Sequence, residues 1–296
     1  MEVCHNMPSS LLLTGTTGLL GRHLIRHLAA TGANIHGIVR SQPKHLNPQV
    51  AYHTIDLSID WSQSTLPKQV DTVIHLAQSD HFRDFPDKAP DIFQVNIAST
   101  ARLLDYARKS GVKTFIYASS GGVYSNSHHP LHENSPIIPP GQLSYYLGSK
   151  LCGEVLVQSY AAYFQVIVLR FFFMYGPSQK RSMLIPRLMD SVKQGRPVIL
   201  QGPEGLHLNP VHVEDAAAAT VAAMTIPESA TFNIAGPDVL SLRQIVEAMG
   251  EFLKMPPCFD TIDQEPHDLI GDNTAMKTTL VAPTRHMKDS LTDVEV

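Results

Sequence analysis

The chain has 296 residues, 43% hydrophobic and 17% charged, a balance that suits one large or two modest folded domains with a sizeable core. A formal net charge of −4, with no run of lysine and arginine, argues against nucleic acid as the primary partner. Cys4, Cys152 and Cys258 are widely spaced and form no CxxC, and no HExxH stretch occurs, so neither a disulfide framework nor a metal site is expected.

In chain order, Ser10 to Thr14 (SLLLT) reads as a buried strand and Leu19 to Gly32 as a helix stopped by glycine. Asn34 to Val39, Val50 to Ile55, Asp71 to Leu76, Lys113 to Ala118 and Gln165 to Arg170 read as further strands. Between them Ile92 to Ser110 and Tyr146 to Phe164 carry helical patterns, and the proline-rich stretch Asn126 to Pro140 reads as a loop. Strict alternation of strand and helix predicts a doubly wound parallel α/β sheet covered on both faces, with ligands bound at the edge where the strands end. After Tyr175-Gly176-Pro177 the pattern shortens. Met183 to Lys193 and Asp215 to Met224 are helical, Val198 to Gln201 and Phe232 to Ile234 are short strands, and Ser241 caps a helix reaching about Leu253. We therefore expect a dinucleotide-binding domain over residues 8–175 and a smaller, irregular substrate region over 176–296, parts of which return to the first domain. The N-terminus carries no basic segment followed by a long apolar run, so a cytoplasmic protein is expected.

The turn from the first strand into the first helix reads Gly15-Thr-Thr-Gly18-Leu-Leu-Gly21. Glycines there permit a tight turn and close approach of backbone N–H groups to a pyrophosphate, and the helix N-terminus adds a favourable dipole. With a strand before it, a helix after it and a second strand beyond, this GxxGxxG loop, including Thr17, Leu19 and Leu20, is the candidate dinucleotide site. The second strand ends in Val39-Arg40-Ser41, where an acid would bind the ribose 2′-hydroxyl of NAD. Arginine instead suits a 2′-phosphate, so NADP is the expected cofactor, ahead of NAD.

A second stretch, Ser144-Tyr-Tyr146-Leu-Gly-Ser-Lys150, places a phenol and an ammonium four residues apart and so on one helix face. A nearby cation favours the phenolate, which makes Tyr146 a usable acid and base.

Together these residues resemble the extended short-chain dehydrogenase/reductases, in the branch of nucleotide-sugar epimerases, dehydratases and reductases. The resemblance runs through Gly15 to Gly21, Asp56-Leu57, Val73-Ile-His-Leu76-Ala77, Asn96, Ser119-Ser120-Gly121-Gly-Val-Tyr124, the YxxxK of Tyr146 to Lys150, Leu169-Arg170 with Tyr175-Gly-Pro, and Val211-His212-Val-Glu-Asp215. It implies that Tyr146 is the acid/base, that Lys150 lowers its pKa and bonds the nicotinamide ribose, and that Ser120 holds the reacting oxygen. It implies further that Asp56 bonds adenine, that Leu57, Leu76, Ala77 and Phe171 join the cofactor cleft, and that Gln78, Gly121, Phe173 and His212 stand on the substrate side. A homodimer through the helices after Asn96 and at Tyr146 is a further implication.

Three departures are informative. Ser120-Gly121-Gly122 stands where the 4,6-dehydratases carry Thr-Asp-Glu, which disfavours dehydration. Phe173 replaces the asparagine of LRxxNxYGP, and Leu208 lies near a usual diphosphate-binding arginine. The expected activity is therefore hydride transfer at a sugar carbinol or keto carbon, as an NAD(P)-dependent nucleotide-sugar epimerase. The alternatives are an NADPH-dependent reductase of a keto-sugar or other carbonyl and, on different grounds, a non-catalytic NADP-binding regulator.

Overall fold

The computed structural model describes residues 7–127 and 129–295, so Cys4 lies outside the described residues. The strands are β1 (Ser10–Thr14), β2 (Asn34–Val39), β3 (Val50–Thr54), β4 (Thr72–His75), β5 (Thr114–Ser120) and β6 (Gln165–Phe171). They continue as β7 (Val198–Gln201), β8 (His207–Leu208), β9 (Ala230–Ile234), β10 (Leu240–Ser241) and β11 (Phe259–Ile262). The α-helices are α1 (Leu19–Ala29), α2 (Ala89–Phe93), α3 (Ser99–Lys109), α4 (Tyr145–Gln158), α5 (Leu184–Lys193), α6 (Val213–Ala223), α7 (Leu242–Leu253) and α8 (Leu291–Glu295).

Seven strands form one sheet in the order β3-β2-β1-β4-β5-β6-β9, the doubly wound Rossmann arrangement. β1 pairs parallel to both β2 and β4, with Leu12 opposite His36 on one side and Val73 on the other. Leu11, Leu12 and Leu13 are wholly buried, as a strand covered on both faces requires, and this explains the unbroken apolar run. The strand order reverses between β1 and β4, and there the chain leaves the two strands at Gly15 and Leu76.

The single helix expected over 92–110 is interrupted. Five residues in π geometry, Gln94–Ala98, separate α2 from α3 and turn Asn96 inward, where its carbonyl accepts from Ser79 N–H at 2.9 Å and its amide donates to Ser149 Oγ at 2.8 Å. α4 begins at the Ser144 cap, whose Oγ accepts from Leu147 N–H, and α7 begins at a Ser241–Gln244 capping box.

The chain divides into two compact units, and it passes between them repeatedly. The first comprises the described residues of Met1–Val123, Ile138–Arg170 and Ala217–Phe232. Its core gathers Leu12, Val73, Leu103, Phe115, Tyr117 and Val168 around the sheet. The second comprises Tyr124–Ile137, Phe171–Ala216 and the described residues of Asn233–Val296. It holds one cluster around Tyr175, Met189, Leu208 and Met249 and a smaller one of Tyr124, Leu131, Phe172 and Ala235. Two small two-stranded sheets, β8 with β10 and β7 with β11, complete it.

Candidate active site

At the edge of the first unit's sheet, Gly15 adopts φ +72°, and a Cβ there would meet Ala77 N at 2.9 Å. Only glycine lets the turn after β1 lie this close to the chain leaving β4. Gly21 is tighter still, because a Cβ would fall 2.1 Å from Gly15 O, so glycine is what seats α1 against the turn. Gly18 is the N-cap of α1 and brings no capping side chain, and the first turn contains no acid. Thr17 and Gly18 are exposed, Leu19 half-buried and Leu20 buried. An N-terminus with no capping side chain and no carboxylate in its first turn fits an anionic diphosphate.

Behind the turn lies a buried polar chain. Thr14 Oγ1 accepts from Ala77 N–H at 3.0 Å and donates to His75 Nδ1 at 2.7 Å; His75 Nε2 donates to Thr100 Oγ1 at 2.9 Å, and that hydroxyl donates to Asn96 O at 2.7 Å. Every group is satisfied only with a neutral imidazole carrying its proton on Nε2. Burial, with Lys150 nearby, pulls the His75 pKa down to about 3, in keeping with that form.

Along the same edge Arg40 and Ser41 are exposed, and the Arg40 guanidinium pairs with Asp80 at 3.4 Å. Asp56 is half-buried; its Oδ1 accepts from the backbone N–H and hydroxyl of Ser58 at 2.9 and 2.7 Å, which holds its pKa below the ordinary carboxylate value. Leu57 is buried in the hydrophobic core, whereas Leu76 and Ala77 remain half-buried beside Gly15.

The candidate proton-handling groups lie on α4 and at the ends of β4 and β5. Tyr146 Oη donates to Gln78 Oε1 at 3.1 Å, and its ring leans on Phe82 with centroids 5.0 Å apart. Tyr145, its neighbour in sequence, instead stacks on Phe85 at 4.8 Å. Lys150, 3% exposed, donates to Ala118 O at 2.9 Å. Its ammonium lies 5.6 Å from the Tyr117 ring centroid and 6.0 Å from that of Tyr146. Ser120 Oγ accepts from Gly122 N–H at 3.1 Å, which orients the hydroxyl at the mouth of the turn beginning with the buried Gly121.

The expected direction of the phenol's pKa is not the one found. Burial pushes Tyr146 up to about 12, and the cation that pulls it back is Arg83. Lys150 stands over the ring face, held by Ala118 O. Lys150 itself is lowered to about 8, chiefly by burial, with Glu154 acting to raise it.

The other candidates belong to the second unit. Phe172 is buried and Phe171 half-buried. Phe173 packs against the Tyr175 cluster with φ +41°, a left-handed conformation that asparagine tolerates and a bulky aromatic rarely adopts. His212, 1% exposed, accepts at Nδ1 from Glu214 N–H at 3.2 Å and has Nε2 3.1 Å from Asp293. Nδ1 is therefore engaged, whereas Nε2, although close to Asp293, is buried without a hydrogen bond. Leu208 is fully buried.

Sequence reading passed over Phe82 and Arg83, which stand in a loop with no periodic signal, and Glu154, which the spacing that selected Lys150 reaches one turn later. It also passed over the four-residue spacing of His23 and His27 on α1. Among the described residues no group of three or more His, Cys, Asp or Glu could hold a metal ion. Cys152 and Cys258 are free and exposed.

The sequence matches the NAD dependent epimerase/dehydratase family over residues 11–235. It is 27% identical over 312 aligned residues to an uncharacterized UDP-glucose epimerase, YtcB, of Bacillus subtilis, covering 96% of each chain. It is 29% identical to a GDP-6-deoxy-D-mannose reductase of Pseudomonas aeruginosa, covering 84% of this chain and 82% of the reductase. Among solved structures it resembles MoeE5 in complex with UDP-glucuronic acid and NAD, with a TM-score of 0.82, 26% identity and coverage of 97% and 98% of the two chains.

Proposed function

The chain belongs to the NAD dependent epimerase/dehydratase family, and from that premise we propose that it is a nucleotide-sugar epimerase working through NAD(P) by hydride transfer at a sugar carbinol carbon, C4. The observation that carries this reading is the convergence of Ser120, Tyr146 and Lys150 at one sheet edge of the first unit, beside an uncapped helix N-terminus. The near full-length likeness to a protein named an uncharacterized UDP-glucose epimerase, and to one solved in complex with UDP-glucuronic acid and NAD, supports a nucleotide sugar as the substrate class.

The turn Gly15 to Gly21 and the first turn of α1 would hold the diphosphate, Arg40 and Ser41 the adenosine ribose, Asp56 the adenine, and Lys150 the nicotinamide ribose, with Leu57, Leu76, Ala77 and Phe171 along the cleft. When bound, the cofactor supplies the hydride acceptor and donor. The protein's part is the proton. Tyr146 Oη would, as the phenolate, take the proton of the sugar hydroxyl as hydride leaves the carbon, and the phenol, the form that here donates to Gln78, would return it when hydride comes back to the opposite face. The Ser120 hydroxyl, oriented by Gly122 N–H, holds the same oxygen. For the substrate the resemblance adds Gln78 and Gly121 in the first unit and, in the second, Phe173 and His212, the latter in a positioning role given its buried ring.

Arg40 supports a preference for NADP(H) over NAD(H), and it is the observation that favours the second reading, a keto-sugar reductase consuming NADPH. The intact proton-handling set speaks against a non-catalytic regulator. Phe93 on α2 and Val155 on α4 are exposed apolar residues that support a homodimer. No described helix is long and apolar enough to cross a membrane, and we read the protein as cytoplasmic.

The test is incubation with UDP-glucose or UDP-glucuronic acid and no added cofactor, followed by NMR of the sugar. C4 interconversion without net cofactor consumption is expected. Turnover of keto-sugars only, with stoichiometric NADPH oxidation, would transfer the assignment to the reductase.

A further inference from the structure

The proton-handling face of α4 does not end at Lys150. Tyr146, Lys150 and Glu154 recur every four residues and so form one stripe. The stripe addresses successive strand ends: Tyr146 meets Gln78 beyond β4, Lys150 meets Ala118 on β5, and Glu154 bridges β5 and β6. Glu154 is 2% exposed. Its Oε1 accepts from Ser119 Oγ and from Arg170 Nε at 3.0 Å, and its Oε2 accepts from Arg170 Nη2 at 2.7 Å. A carboxylate buried with a bidentate guanidinium and a hydroxyl has its lone pairs engaged and its charge fixed in place.

Lys150 needs such a neighbour. An ammonium with one carbonyl partner and two aromatic faces, removed from water, is driven toward the neutral form. Among the described residues, the groups around it leave one source of negative charge. From β4 comes the neutral His75, from β5 the Tyr117 phenol, which burial pushes upward, and from α4 itself Tyr146 and Glu154. From β6 comes Arg170, paired to Glu154. The α2 acid, Asp91, is taken up by Ser79, and the α3 acid, Asp105, pairs with Lys109 and Arg108.

We propose that Glu154 is a positioning residue: its carboxylate, fixed by Arg170 and Ser119, supplies the negative charge that keeps the buried Lys150 ammonium protonated in the working site. The proposal rests on the reading of Lys150 as the lysine at the nicotinamide ribose. It makes Glu154 act through Lys150 without touching cofactor or substrate. Of the ion pair it is the carboxylate that acts on Lys150.

The direct test is a pH titration of ε-13C-lysine-labelled protein by NMR, with the Lys150 resonance identified by its loss in Lys150→Met. The native midpoint is expected near 8. In Glu154→Gln it should fall by about one unit, the smaller end of what one close opposite charge contributes. Because that variant leaves a buried guanidinium unpaired, the double variant Glu154→Gln/Arg170→Met serves where the single one does not fold, and it should titrate below Arg170→Met alone. Ser119→Ala, which keeps both charges, should leave the midpoint within a few tenths of a unit. An unmoved midpoint in folded Glu154→Gln, or in the double variant compared with Arg170→Met alone, overturns the proposal. NAD(P)H affinity followed across the same pH range separates the two readings. If the Lys150 midpoint falls and affinity does not follow, the cofactor role of Lys150 fails and the Glu154 proposal stands.

Discussion

The two units satisfy their backbones by different means. In the first, parallel strands pair in long registers, β2 with β1 and β3 and β4 with β1 and β5, so ladder hydrogen bonds do most of the work. In the second, side chains take that part. Asn209 forms a reciprocal pair with Gly271, its amide donating at 2.8 Å and its carbonyl accepting at 2.9 Å. Asn233 donates to Leu131 O, Asn273 donates to Gly236 O, and Asp215 accepts from the N–H groups of Thr284 and Arg285. Where the ladder handles most of the backbone, polar side chains such as Ser120 and Lys150 each make one backbone contact at the strand ends. Where it does not, equally polar residues become structural, and chemistry cannot be inferred from their type.

The contrast breaks most readily at Asn209. Asn209→Ala leaves a buried N–H and a buried carbonyl unpaired and should cost on the order of 4 kcal/mol in urea unfolding. Ser119→Ala in the first unit, where Arg170 still holds Glu154, should cost only about 1 kcal/mol. Equal costs would remove the distinction between the units.

A second prediction concerns pH. His75 binds no proton in the fold until about pH 3, but in the unfolded chain it does so near 6.5. Between these values the unfolded state holds more protons, so stability falls as pH falls. The slope is about 1.4 kcal/mol per pH unit for this group, and there is no contribution above 6.5. His75→Gln should lower the plateau, by removing part of the Thr14–Thr100 chain, and flatten the acid slope. An unchanged slope in urea titrations from pH 7 to pH 5 would show that the imidazole is not held neutral.

The smallest expected effect lies at the exposed Arg40–Asp80 pair, whose own strength is ~1 kcal/mol or less. A 2′-phosphate must compete with Asp80 for the guanidinium, so Asp80→Asn should raise NADPH affinity several-fold while leaving NADH nearly unchanged. Arg40→Asp should shrink or reverse the preference. Equal response of both cofactors would mean that Arg40 serves the surface alone.

The first unit was legible because its signals are local. Six leucine-rich or β-branched runs, the glycine turn and the Tyr146–Lys150 spacing each depend on residues within a few positions of one another, and β1 and β2 fall on their expected bounds. The π interruption at Gln94–Ala98 was not legible, because it answers to Ser79 and Ser149, distant in sequence from Asn96. The same holds for β8, β10 and β11 and for the Asn209–Gly271 pair, whose partners lie far along the chain. The rise of the Tyr146 pKa was missed for a related reason: spacing places Lys150 on the right face, but it cannot say that the phenol is buried, nor that Ala118 O holds the ammonium over the ring. Phe173 shows the limit from the other side. Its left-handed backbone is one that asparagine tolerates better than phenylalanine, and nothing in the run of three phenylalanines announces it.

The claim on which the rest depends is that the Tyr146 phenol moves the proton. Turnover of the accepted nucleotide sugar by Tyr146→Phe, measured beside cofactor affinity and beside Tyr145→Phe, tests it most directly. The phenylalanine ring can keep the contact with Phe82, so cofactor affinity should stay within a few-fold of native while turnover falls by roughly 10²–10⁴-fold, and Tyr145→Phe should change little. Near-native turnover by Tyr146→Phe, with the cofactor bound as before, would contradict the account.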